Sequence, residues 1–116
     1  TITPQKADSS IIVVAAFSAY NASPSGSLIK ISYIQLTDAS NTLINPGGNH
    51  SYGANDFTMT GTVYLQHTLS LWGYATPGST SPVTYKMRFK SASASITSAI
   101  GNGGSTGQIY AIEVAA

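Results

Sequence analysis

The sequence predicts an all-β protein, an antiparallel sandwich or jelly roll of about eight strands, on three observations. Gly, Ser, Thr, Asn and Pro gather in clusters between runs of β-branched and aromatic residues, the punctuation of short strands joined by turns. Several of those runs alternate apolar and polar residues with a period of two. No window carries an apolar stripe at 3.6-residue spacing, so helices are expected to be absent or confined to single turns.

The first element, "SSIIVVAAFSAYN" at residues 9–21, does not alternate between residues 11 and 17. A strand apolar on both faces needs cover on both. Either it lies at the centre of a monomer that covers it twice, or its second face meets something else. "NASPSG" follows as a turn, with Pro24 and Gly26 supplying turn geometry. "SLIKISYIQLTD" puts Ile29, Ile31 and Tyr33 on one side and Lys30 and Ser32 on the other, until Ile34 and Leu36 break the pattern. "DASN" reads as a tight turn into a short strand, "TLIN". An irregular stretch, "NPGGNHSYGAND", then leads to Phe57.

The second half is more regular. "GTVYLQHTLSLWGY" sets Val63, Leu65, Leu69 and Leu71 against Tyr64, Gln66, Thr68, Ser70 and Trp72. "ATPGSTSP" is a loop with two prolines and a glycine. "VTYKMRFKS" points Tyr85, Met87 and Phe89 inward and Lys86, Arg88 and Lys90 outward. "ASITSAI" is a weaker strand, and "GNGGSTG" is expected to act as a hairpin connection into the last one, "QIYAIEVAA".

Composition bounds the function. At 116 residues and 12.0 kDa the chain is one domain with a modest core, residues 1–116. Charged residues make up 8% of it and the net charge is +1, which disfavours nucleic-acid partners. Lys86, Arg88 and Lys90 follow the i, i+2 spacing of one polar strand face and need no anionic partner to explain them. Without cysteine there are no disulfides or thiolate sites, and the compartment stays open. The longest apolar run is far too short to span a bilayer, so no membrane insertion is expected. A start at Thr1, with neither an initiating methionine nor a signal-like segment, is what the C-terminal part of a longer or processed protein would show.

No constellation for chemistry stands out, and an enzyme is not expected. His50, His67, Asp38 and Asp56 are scattered rather than spaced as metal ligands, so neither a metal nor another cofactor is expected. Serines are abundant, but "G-x-S-x-G" does not occur. "GNGGSTG" lacks the lysine and helix of a phosphate-binding loop. His67 interrupts the apolar phase of its strand and is expected to be hydrogen-bonded on the inner face. The aromatics Tyr20, Tyr52, Phe57, Trp72 and Tyr74 lie in or beside expected loops, where binding residues concentrate. An aromatic face against a sugar ring, with amides and carboxylates on its hydroxyls, makes His50, Tyr52, Asn55, Asp56, Trp72 and Tyr74 the candidate ligand-binding set. The plainer role for Trp72 and Tyr74 is packing against a neighbour.

Three segments carry a resemblance. "TITPQKADSSIIVVAAF", "TYKMRFKS" and "GQIYAIEVAA" are similar, in strand order, to the C-terminal domains of phage tail fibres and related virion appendage proteins. The matching positions are 1–4 with 10–13, 84–89 and 109–114; residues 45–59 match nothing in that pattern. The resemblance implies a jelly roll like the complement C1q and tumour-necrosis-factor group, assembled as a homotrimer on the virion surface. It also implies that the first, third, sixth and last strands form a sheet facing the trimer axis. On that basis Ile11, Val13, Ala15 and Phe17 are assigned to the core. Ile12, Val14 and Ala16 go to a subunit interface, with His67 as a candidate ring of three around the axis. The function implied is attachment to a host-surface glycan or protein through several weak sites. Two alternatives stay open: a purely structural subunit with no soluble ligand (a trimerisation cap, capsid decoration protein or filament subunit), and a carbohydrate-binding module of cellular origin.

Overall fold

The structure is a computed structural model that describes residues 1–23, 29–44, 50–55, 61–101 and 106–115. Within these, the side chains of 23, 29–32, 50–55 and 63 are not described. The described residues form seven strands and no helix: β1 (Ser10–Ser23), β2 (Ile29–Asp38), β3 (His50–Asn55), β4 (Val63–Ala75), β5 (Tyr85–Ser91), β6 (Thr97–Ile100) and β7 (Gln108–Val114). Every pairing is antiparallel, and the strands make two sheets.

In the first sheet β1 is central. β4 lines one edge for its whole length, from Ile11↔Ala75 to Ser23↔Val63. The other edge is shared: β7 pairs with residues 10–16 and β6 with residues 19–22. β6 and β7 run in the same direction along β1, so "GNGGSTG" does not join a hairpin. It interrupts one line of strand, and the Gly101 amide carries the ladder onward by donating to the Ser18 carbonyl at 2.9 Å. The second sheet has the order β3-β2-β5. Thus the first, sixth and last strands do share a sheet, but their fourth partner is β4; the third strand, β3, belongs to the other sheet. The "TLIN" segment folds back on the end of β2 as a single bridge, Thr37↔Leu43, after a turn that holds Asn41 at φ 70°.

The core lies between the sheets. β1 contributes Ile11, Val13, Ala15, Phe17 and Ala19, β2 contributes Ile34 and Leu36, and Ile44 and Leu71 complete the buried cluster. Burying each of the larger of these is worth about 1.5–3 kcal/mol. In β2 the inward phase is therefore the even one: Ile34 and Leu36 face Phe89 and Met87, while Tyr33 stands opposite Lys90 on the outer face. Gly73 in β4 admits the second sheet's contribution. A Cβ there would lie 2.9 Å from both Cγ1 and Cδ1 of Ile44. Beyond Ala19 the inner face turns polar, with Asn21 buried and its Oδ1 accepting from the Ser98 hydroxyl at 3.0 Å.

The N-terminal segment is tied to the end of the sandwich. Ile2 and Val83 exchange two backbone bonds of 2.9 and 2.8 Å, and the hydroxyls of Thr1 and Thr84 meet at 2.8 Å. The Gln5 and Lys6 amides donate to Glu113 Oε1 at 2.8 and 3.2 Å. The molecule measures 56 × 25 × 19 Å, its length set by β1 and β4. Its radius of gyration is 16.6 Å, against about 13 Å for a compact domain of this length. The accessible surface is 6580 Å², where a monomer of this mass is expected to show about 6,000 Å².

Candidate functional site

The exposed apolar surface is concentrated on one face of the first sheet. Because β1 buries its odd-numbered residues, register places its even-numbered ones on the outer face with the even residues of β4 and β7. Two adjacent cross-strand rows are apolar or aromatic from edge to edge: Tyr74–Ile12–Ile112 and Trp72–Val14–Tyr110. Trp72 is 60% exposed, Tyr110 and Ile112 51% and Tyr74 47%. Val114, also exposed, extends the patch past Ile112. At roughly half exposure, three aromatics alone present on the order of 300 Å². The next row, Ser70–Ala16–Gln108, is polar at both edges and ends the patch. Further along, Tyr64 and Tyr20 pair with ring centroids 6.0 Å apart.

Such a face does not arise from strand propensity. Exposed sheet positions ordinarily carry polar side chains, as β4 does at Gln66, Thr68 and Ser70. The opposite face of the molecule follows that rule: Lys86, Arg88 and Lys90 project from β5 beside Tyr33 and Gln35. Lys90 Nζ sits 5.5 Å from the centre of the Tyr33 ring. Lys86 Nζ donates to the Ala39 carbonyl at 2.7 Å and to Asn41 Oδ1 at 3.0 Å, pinning the turn after β2.

Of the expected site residues, the described ones lie on the outer face of the first sheet and in β4. Ile12, Val14 and Ala16 are half-buried on the outer face, flanked by Trp72 and Tyr74. Trp72 is not in a loop; β4 continues through Gly73 to Ala75, so both aromatics stand on sheet. His50, Tyr52 and Asn55 belong to β3 rather than to a loop, because "HSYGAN" pairs with β2. Their side chains, and all of Asp56, lie outside the described residues. His67 falls on the inner-face phase of β4, opposite Ala19, yet is exposed. Sequence reading missed Tyr110, Ile112 and Val114. The signal was present in the alternation of "QIYAIEV", whose two apolar sets cannot both face one core. Among the described residues no three of His, Cys, Asp and Glu come together.

One carboxyl, Glu113, and one phenol, Tyr85, are shifted by their surroundings. The Ser9 hydroxyl, near Glu113 though outside strict hydrogen-bond geometry, does most to hold that carboxyl below its usual range. Burial opposes this, and the Gln5 and Lys6 amides with the Lys6 ammonium reinforce it. The Tyr85 phenol is raised, first by burial and then by the charge of Asp38.

No protein-family model matches the chain, and neither a curated protein nor a solved structure is significantly similar to it. What fold and surface define is a class: an antiparallel two-sheet β protein with an uncovered apolar sheet face.

Proposed function

We propose that this chain is a non-enzymatic, self-associating attachment domain of a virion appendage, with the jelly-roll character of the C1q and tumour-necrosis-factor group and a trimeric assembly. One observation carries the reading: the two apolar rows on the outer face of β4, β1 and β7. A patch of this size and composition on a 12.0 kDa protein fits a subunit interface, where aromatic residues dominate the binding energy. Stable interfaces bury about 800 Å² per partner, and the patch with its polar margin supplies a centre for that area. The low charge of the chain suits contact through aromatic and hydrogen-bonding groups. Attachment to a host-surface glycan or protein follows from the resemblance of the three segments to tail-fibre tips, and three joined copies turn weak sites into firm adhesion. The structural alternative, a cap or decoration subunit, shares the same interface and differs only in lacking a ligand.

Native mass measurement tests the assembly. A trimer is expected, and the double variant Trp72→Ser, Ile112→Ser should yield folded monomer. Trp72 is the sole tryptophan, so its emission should move to longer wavelength on dilution below the dissociation constant. A wild-type monomer at all concentrations would sink the reading. Cell-binding by the trimer separates attachment from the purely structural role.

A further inference from the structure

A cavity of about 570 Å³ opens at the end of the sandwich, between the turn after β2 and the connection from β4 to β5. This volume lies within the roughly 300–1,000 Å³ range of small-molecule sites. Its lining mixes two chemistries. Tyr74, Tyr85, Leu43 and Ile44 provide apolar and aromatic surface, with Leu43 exposed although large and aliphatic. Asp38, Ser40, Thr76 and Thr84 provide a carboxylate and three hydroxyls.

The carboxylate is held in place. Asp38 Oδ1 accepts the Thr42 amide at 2.8 Å, and Asp38 also closes the turn through its backbone, donating to the Thr42 carbonyl at 2.9 Å. Tyr85 stands directly across the strand pair from Asp38. No lysine or arginine is among the described lining residues, and the nearby Lys86 ammonium is engaged by Ala39 and Asn41.

Charge and shape then select a ligand. The Asp38 carboxylate of the lining and the Lys86 ammonium, which bonds the lining residue Ala39, offset each other, so the site favours a neutral ligand over either ion. Tyrosines beside a carboxylate would suit an alkylammonium, but that ion has no use for three hydroxyls. A pyranose uses them: its C–H face lies on a tyrosine ring, and its hydroxyls donate to Asp38 and exchange bonds with Ser40, Thr76 and Thr84. We infer that this end cavity is a binding site for a neutral hexopyranose unit, with Asp38 as hydroxyl acceptor, Tyr85 as the ring-facing residue, and Tyr74, whose ring belongs to the outer-face patch, only at its rim. The inference deepens the attachment reading and rests on it for the origin of the sugar. It moves the site away from the "HSYGAND" segment, keeping only Tyr74 from the set expected of the sequence.

Saturation-transfer NMR on the intact chain tests it, using methyl pyranosides of glucose, galactose, mannose and N-acetylglucosamine, with tetramethylammonium as the competing cation. At least one pyranoside should receive magnetisation at its ring C–H protons. Asp38→Asn retains an acceptor for the Thr42 amide and should weaken binding about tenfold, the worth of one charge-assisted hydrogen bond. Ser40→Trp, on an exposed turn position, should block the cavity without touching the core and abolish the signal even if the Asp38 variant misfolds. Absence of transfer to every pyranoside, transfer that survives Ser40→Trp, or displacement by tetramethylammonium would each overturn the inference. Native mass on the same samples keeps the two readings apart. A trimer that binds no pyranoside ends the cavity site alone, whereas a monomer that binds one supports the site and ends the assembly.

Discussion

Gly73 shows how much a single missing atom can organise. It stands in β4 opposite Val13, and Ile44 from the other sheet occupies the space a side chain would need. Gly73→Ala should therefore destabilise the fold by about 1–3 kcal/mol, the usual cost of overpacking, offset in part by the roughly 0.4–1 kcal/mol gained from a stiffer unfolded chain. Chemical denaturation measures the difference, and an unchanged midpoint would contradict the close approach of Ile44. Glu113 acts differently, as an anchor for residues 5 and 6. A carboxyl with a folded pKa below its unfolded value adds stability at and above the ordinary carboxylate range. That contribution disappears as pH falls through the lowered folded value. Anchoring should thus persist at pH 6 and fade only below the usual carboxylate range, read from the Gln5 amide shift. Glu113→Gln should speed tryptic cleavage after Lys6 at neutral pH while leaving the global unfolding midpoint nearly unmoved.

At the scale of elements, β1 decides the architecture. It is hydrogen-bonded on both edges and packed on its inner face, and β6 and β7 take their registers from it independently. The length of the connection between them is therefore free of any pairing constraint. Inserting several glycine and serine residues after Gly107 should cost only about 0.6 kcal/mol per doubling of loop length, checked by thermal unfolding; a large loss would mean that β6 and β7 depend on each other. Much of this was legible in the sequence. Period-two alternation placed β4 and β5, the unbroken apolar run at 11–17 showed that β1 needs cover on both faces without saying which set faces the core, and the turn at 38–42 followed from its Asp and Asn. Less legible was anything set by pairing between distant segments. "HSYGAN" contains no strong strand former except Tyr52, and joins a sheet because β2 offers it an edge. "GNGGSTG" has the composition of a hairpin turn, and only the shared partner β1 shows that it is not one. The end cavity was likewise hidden, since Asp38, Tyr74 and Tyr85 are separated in sequence and meet through the fold.

At the scale of the whole molecule, thinness and surface excess belong together. A sandwich 19 Å thick and 56 Å long has little interior for its area, and its apolar outer rows are where the proposed assembly would supply the missing cover. The same elongation sets how the domain responds to load. The start of β1 and the end of β7 lie side by side, Ser10 opposite Val114, so both termini leave from one end of the long axis. Tension applied between the termini would peel β7 from β1 one bond at a time and open the domain at low force. Tension between the N-terminus and the far end, near Tyr64 and Thr97, would load the β1 ladders in shear, with many bonds resisting at once. Optical-tweezer unfolding with attachment at residues 1 and 116, compared with residues 1 and 97, should give the lower rupture force for the first pair. A domain tethered by its N-terminal side and gripped at its distant end would accordingly be strong along its length and weak at its seam.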